Sequence, residues 1–328
     1  MLRRPRRNRQ SPAIRGLAQE THLTPNHLVQ PLFLAEGEGI REAIPSLPGT
    51  FRLSTDEALK EVETCLQLGL QSFILFPKIP DDKKDKRGTF SYSEDNFYLS
   101  AASAIKSAFP EACLISDVAL DPYSSDGHDG IVHEGKILND ETLHVLQKMG
   151  VAQARAGFDI LGPSDMMDGR VEALRVALDE EGFSETGIMS YTAKYASAFY
   201  GPFRDALDSA PVAEADIPAD KKTYQMNPAN RREALLEGEM DTLEGADFLM
   251  VKPALHYMDV ILTMKQNFQL PIAAYHVSGE CAMLSAACQN GWLDYEQAMP
   301  ETLLSLYRAG ADVIITYFAK DFAERYGE

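Results

Sequence analysis

A chain of 328 residues, 45% hydrophobic and 24% charged, can bury a large core, as one α/β barrel of ~250 residues or as two ordinary domains. Its 49 acidic against 31 basic residues give a formal charge of −18, which repels nucleic acid and anionic membrane surfaces and excludes polyanions as general partners. No stretch approaches the ~20 uncharged apolar residues that a membrane span needs.

The first element breaks this charge pattern. "MLRRPRRNRQ" carries Arg3, Arg4, Arg6, Arg7 and Arg9 with almost no apolar content, and Ser11, Pro12 and Arg15 follow. Residues 1–24 read as an extended arm, suited to lie on the acidic surface of a neighbouring copy, with nucleic-acid binding or a targeting peptide as alternatives. No secretory apolar region follows it, so a cytoplasmic protein is expected.

From residue 25 onward, short apolar runs alternate with amphipathic stretches. The runs are "LVQPLFL" (28–34), "SFILFP" (72–77), "CLISDVAL" (113–120), "FDILGPS" (158–164), "GIMSYT" (187–192), "DFLMVKP" (247–253), "PIAAYHV" (271–277) and "DVIITYF" (312–318). Three open alike: "AGFDILGPS", "EGADFLMVK" and "AGADVIITY" each place a glycine after an amphipathic stretch and an aspartate two residues later. That is a helix C-cap feeding a buried strand. Leu303, Leu306 and Tyr307 mark one face of the helix before the third, and Leu236, Met240 and Leu243 the expected core face of the helix before the second. Strands apolar on both faces between one-sided helices mean a parallel sheet covered by helices. Eight such units over residues 25–328 predict a closed (βα)8 TIM barrel, an open doubly wound sheet being the alternative. The gap between Thr192 and Asp247 is too long for one helix and predicts an active-site lid at about 195–228. Cys65, Cys113, Cys281 and Cys288 lack metal spacing and read as buried free thiols, the last two sharing a helix.

Nearly every strand ends in a polar group: Asp117, Ser164 with Asp165, Tyr191 with Lys194, Lys252, Tyr275 with Ser278, and Tyr317. A single lysine at a strand end is commonly a salt-bridged structural residue. Two of them closing strands of one barrel disfavour each other's charged form, and desolvation adds to this, so one titrates below the free value of ~10.4. A neutral amine attacks a ketone or aldehyde to form a Schiff base, and this much describes class I aldolases equally well. The loop "DVALDPYSSDGHDGIVHEG" collects Asp117, Asp121, Asp126 and Asp129 with His128 and His133. It reads either as a solvated Asx-rich turn or as a site for a hard cation or a substrate ammonium, with zinc disfavoured by the absence of thiolates.

The motifs "SPAIRGLAQETHLTPNHLVQPLF", "DVALDPYSSDGHDG", "GPSDMMDGRVEALR", "SYTAKYASAFYGPFRDA", "MVKPALHY", "YHVSGECAML" and the terminal "ITYFA" run in order along almost the whole chain. Together they resemble the porphobilinogen synthase (5-aminolevulinate dehydratase) family. The resemblance implies condensation of two 5-aminolevulinate molecules to porphobilinogen with loss of two waters, in tetrapyrrole synthesis. It makes Lys252 the Schiff-base lysine for the propionate side and Lys194 that for the acetate side. Ser278 and Tyr317 match the groups holding one substrate carboxylate, and Arg204, Lys221 and Gln225 on the lid those holding the other. Asp117, Asp121, Asp129 and Ser164 match residues orienting the second substrate and its amino group, and Tyr191, Tyr200 and Phe203 the pocket walls. Many members have arginine at 221 and histidine at 126. Zinc-using relatives have cysteines where this chain has Ala119, Asp121 and Asp129, so the resemblance implies a branch without catalytic zinc. Glu237 matches a carboxylate that holds an allosteric Mg²⁺ at a subunit boundary, and the arm matches one that wraps a neighbour in a homo-octamer. A class I aldolase and a non-catalytic metal-binding barrel stand beside this expectation. The first needs no second carboxylate clamp, and the second forms no imine.

Overall fold

All eight apolar runs form strands, each parallel to the next: β1 (Leu28–Ala35), β2 (Ser72–Lys78), β3 (Cys113–Ile115), β4 (Ile160–Leu161), β5 (Gly187–Lys194), β6 (Phe248–Lys252), β7 (Ile272–His276) and β8 (Val313–Thr316). The chain is described by a computed structural model over residues 1–209, 211–212, 214 and 216–327. β8 returns to β1, with Leu28 opposite Ile314 and Val29 opposite Ile315, so the sheet closes into the expected (βα)8 barrel rather than the open sheet. Closure removes both sheet edges and buries the strands on both faces, which is why they lack alternation. At least one helix follows each strand, and no described helix is long and apolar enough to cross a membrane.

Two strands are shorter than their apolar runs. The chains after Ile115 and Leu161 stay side by side, with Val118 N donating to Gly162 O at 3.0 Å and Ser164 N to Val118 O at 3.1 Å, but the ladder is irregular. Pro163 has no N–H to give it, and a side chain at Gly162 would start 2.5 Å from the Ser116 carbonyl. Two hairpins escape the sequence pattern, Arg41–Ala43 with Phe51–Leu53 and Ile131–His133 with Lys136–Leu138, because three residues are too few to show a period.

The repeated glycine–aspartate signature has a structural cause. Gly157, Gly245 and Gly310 end their helices at φ of 100°, 101° and 118°, where a side chain is strained. Each following aspartate accepts an N–H from the first or second residue of a neighbouring strand at 2.8 Å: Asp159 from Leu114, Asp247 from Ile188 and Asp312 from Ile272. The carboxylates satisfy donors that the ladder leaves over at the bottom of the barrel.

The helix before β6, Glu233–Leu243, corrects one expectation. Leu236, Met240 and Leu243 are 57%, 39% and 82% exposed, and the buried residues are Ala234, Gly238 and Asp241. Helical spacing identifies a stripe but not the side that meets the core. Gly238 lets the helix close on the next one, where an added Cβ would lie 2.6 Å from the Phe268 ring. Asp241 is tolerated inside because buried Arg170 pairs with it at 3.2 Å. Leu303 and Leu306 are buried as expected. The four cysteines are free, with Cys281 and Cys288 sharing the helix Ser278–Gln289; Cys65 and Cys281 are buried, whereas Cys113 and Cys288 are only partly so. In the arm a 3-10 turn (Pro5–Arg9) and a short helix (Pro12–Leu17) form, and no residue before Leu28 is buried.

Candidate active site

Lys194 is the last residue of β5 and Lys252 the last of β6, and the two are direct partners in the sheet register. Adjacent strands lie ~4.8 Å apart, so both side chains leave the same rim of the barrel. Their surroundings differ. The Lys252 ammonium position is ringed by Tyr275 at 4.5 Å, Tyr191 at 4.9 Å, Phe203 at 5.0 Å and Tyr200 at 5.4 Å, measured to ring centroids. Among the described residues no carboxylate reaches salt-bridge distance of it. Ring faces attract an ammonium by ~0.5–2 kcal/mol, but exclusion of water opposes them by more. Burial, followed by the charge of Lys194, brings Lys252 down to about 7. The neutral amine is therefore accessible near neutral pH.

Lys194 is instead paired. Its ammonium donates to Asp129 Oδ2 at 3.1 Å and to the Ser164 carbonyl. The other Asp129 oxygen accepts from Lys221 of the lid at 2.6 Å, and Lys221 also meets Asp121 at 3.1 Å. Burial alone would raise the Asp129 carboxyl, but the two ammonium groups outweigh it and hold it at about 2. Burial likewise opposes the charge on Lys221, and Asp121 and Asp129 overcome it, so that lysine titrates above its usual range. Asp117 goes the other way: burial and then Asp121 push it to about 7, against the pull of Lys252, a Ser164 hydrogen bond and Lys194. Two carboxylates of one loop, Asp117 and Asp129, are thus driven to opposite protonation behaviour, the pattern that separates acid–base from purely electrostatic roles.

The aspartate-rich loop is therefore not a solvated turn. Asp121, Asp126, His128 and Asp129 are buried, and His128 joins Tyr224 Oη at 2.9 Å and the Pro218 carbonyl at 2.8 Å, both on the lid. His133 stays exposed. The two ends of the 195–228 segment meet, with Tyr195 bridged to Met226 and Met226 N donating to Lys194 O at 2.9 Å. Positions 210, 213 and 215 of the expected 195–228 segment lie outside the described residues.

The remaining expected site residues converge on the same mouth. Arg204, Gln225, Lys221, Asp121, Tyr200 and Phe203 surround the two lysines about a cavity of roughly 30 Å³, room for a water molecule or two. Ser278 Oγ accepts from Phe203 N at 3.0 Å, and the hydroxyls of Tyr317 and Tyr275 meet at 3.2 Å. Lys221 holds two protein carboxylates here, Asp121 and Asp129. Glu237 lies apart, on a cavity of about 420 Å³ shared with Asp168, Glu233, Asn139, Asn227 and Asn230; burial, partly offset by Arg170, pushes it up to about 7. Sequence reasoning missed His256 and Glu280, whose contacts join segments distant in the chain.

Fold and site define a barrel enzyme with two adjacent buried lysines, one with a neutral amine available to attack a carbonyl. The family model described as "Delta-aminolevulinic acid dehydratase" matches residues 2–325. A delta-aminolevulinic acid dehydratase of Chlamydia pneumoniae is 53% identical over 97% of this chain and 95% of its own. A chloroplastic one of Oryza sativa subsp. japonica is 54% identical over 98% and 75%. The solved Toxoplasma gondii ME49 delta-aminolevulinic acid dehydratase (porphobilinogen synthase), in complex with the product porphobilinogen, superposes with a TM-score of 0.96 at 51% identity, over 99% of this chain and 92% of that one. The chain belongs to the delta-aminolevulinic acid dehydratase family. Membership decides against the aldolase and the non-catalytic barrel.

Proposed function

We propose that the chain condenses two 5-aminolevulinate molecules into porphobilinogen through imines on Lys252 and Lys194. Two waters balance the two ketone oxygens lost. The carrying observation is the register-paired lysines, of which Lys252 has a bare amine near pH 7. Its nitrogen attacks the ketone carbon of the propionate-side substrate, and both amine protons leave with the ketone oxygen as water. Lys194 does the same for the acetate-side substrate once its proton passes to a neighbour. Asp117, at about 7, exchanges protons at neutral pH and suits that transfer. Borohydride reduction in the presence of 5-aminolevulinate traps the adduct, and peptide mapping puts it on Lys252. A label confined to surface lysines would refute the assignment.

The substrate carboxylates go to opposite sides: Ser278 and Tyr317 hold one, while Arg204 and Gln225 hold the other with Lys221, which shifts part of its charge from Asp121 and Asp129. Arg204→Ala weakens apparent substrate binding at least ~10-fold, the scale of a lost charge-assisted contact of ~1.5–3 kcal/mol. Unchanged kinetics remove Arg204 from the site.

Glu237 is the residue we assign to a regulatory Mg²⁺, in an enzyme that needs no catalytic zinc. Its cavity offers only oxygen donors among its polar side chains, Lys222 aside. That suits an ion bound by one carboxylate and its own retained waters. When bound, the ion contributes charge at a subunit boundary and takes no part in bond-making. The exposed arm and the exposed Leu236, Met240 and Leu243 support assembly of copies, which we assign to a homo-octamer. Glu237→Ala loses the Mg²⁺ stimulation while basal turnover and the Lys252 adduct persist. Stimulation equal to the parent's contradicts the assignment.

A further inference from the structure

The cage around Lys252 is built partly from the lid, since Tyr200 and Phe203 lie on it, and something must hold that stretch against the barrel. Tyr200 Oη donates to the Tyr195 carbonyl at 2.7 Å, with the Lys252 carbonyl also within reach at 3.2 Å. Just before it, the Phe199 ring stacks on the imidazole of His256, centroids 4.3 Å apart and planes 18° from parallel. His256 follows Lys252 by four residues and leaves one face to solvent. Its ring is aimed by Glu280, a fully buried carboxylate of the helix after β7, whose Oε1 lies 3.2 Å from His256 Nδ1. Glu280 is anchored in turn by the N–H groups of Leu255 at 2.9 Å and Val277 at 3.0 Å. Beside it, a side chain at Gly279 would start 2.5 Å from the Phe199 carbonyl, so the lid base sits directly on the start of this helix.

We propose that His256 is a positioning residue, which clamps the lid base through Phe199 so that Tyr200 and Phe203 keep water away from Lys252. The inference rests on Lys252 being the imine-forming amine. Burial is the main cause of its lowered value, and the charged groups facing it are Lys194, Asp117, Asp121 and Asp129, with Arg204 and Lys221 across the cavity. Of these only Arg204 lies on the segment that His256 holds, on the same short helix as Phe203. Loosening Phe199 therefore raises hydration and, of the surrounding charges, withdraws only Arg204, and both changes favour the charged amine. The charged amine becomes easier to form, so labelling and turnover need a higher pH.

The test is the rate of borohydride-trapped 5-aminolevulinate labelling at Lys252 from pH 5.5 to 9, in the full-length parent and in H256A, H256F and H256Q. H256A moves the acid midpoint up by about one pH unit, cutting labelling at pH 7 about fivefold with recovery at pH 9. H256F keeps a ring against Phe199 and retains the parent midpoint, whereas H256Q keeps only the hydrogen bond to Glu280 and shifts as H256A does. If H256A does not fold, the contrast between H256F and H256Q still separates the stacked ring from the hydrogen bond. Parental midpoints in H256A and H256Q overturn the clamp while the Schiff-base assignment stands. A parent with no Lys252 adduct at any pH overturns both.

Discussion

Lys252→Arg lowers turnover below about a thousandth of the parent's, because a guanidinium stays protonated at any working pH and has no amine to attack a ketone. Lys252→Met, similar in volume and neutral, is equally inactive but remains folded, which separates loss of the nucleophile from loss of structure. The pH dependence of stability provides a second check. The folded value of about 7 lies below the unfolded ~10.4, so burying the ammonium destabilises the fold fully below pH 7, and stability rises as pH climbs between the two values. The parent shows that rise in chemical denaturation, and Lys252→Met lacks the part due to this lysine. Turnover by either variant above a hundredth of the parent's would remove Lys252 as the nucleophile.

Asp129→Asn is the second large effect. The carboxylate lies between two buried ammonium groups, Lys194 at 3.1 Å and Lys221 at 2.6 Å, and an amide of the same shape leaves both without their shared counter-charge. Removing one partner of a buried pair costs about 3–5 kcal/mol, so the melting temperature drops by roughly 5–10 °C and the lid loses its tie to the barrel. Because the folded carboxyl sits at about 2, below the unfolded ~3.9, its contribution is present above pH 4 and disappears as pH falls through 2. The parent therefore loses stability in that acid window, and Asp129→Asn loses less there. A variant as stable as the parent at pH 7 would mean that water screens the pair.

How these residues come together shows what can be read without the fold. Lys194 and Lys252 are legible as a pair, because apolar runs of strand length end at each and a parallel barrel brings all strand ends to one rim. The repeated Gly-x-Asp is legible as helix end and strand start, but its role in capping the neighbouring strand needs the register. Neither the pairing of Lys221 with Asp121 and Asp129 nor the His256–Phe199 stack leaves any periodic trace, since the first spans 100 and 92 residues and the second 57.

By itself the amino-acid sequence determined the strand count, the parallel closed barrel and the rim on which polar groups gather. These follow from local patterns repeated along the chain: apolar runs, glycine caps and helical spacing. Tertiary structure alone decided which lysine is neutral, which carboxylate is ionised, and which face of the helix Glu233–Leu243 turns inward. Each of those depends on water excluded or charge brought near by residues distant in sequence. Lys252 and Lys194 are both strand-end lysines in the chain; four aromatic rings around one and a carboxylate against the other make them chemically different.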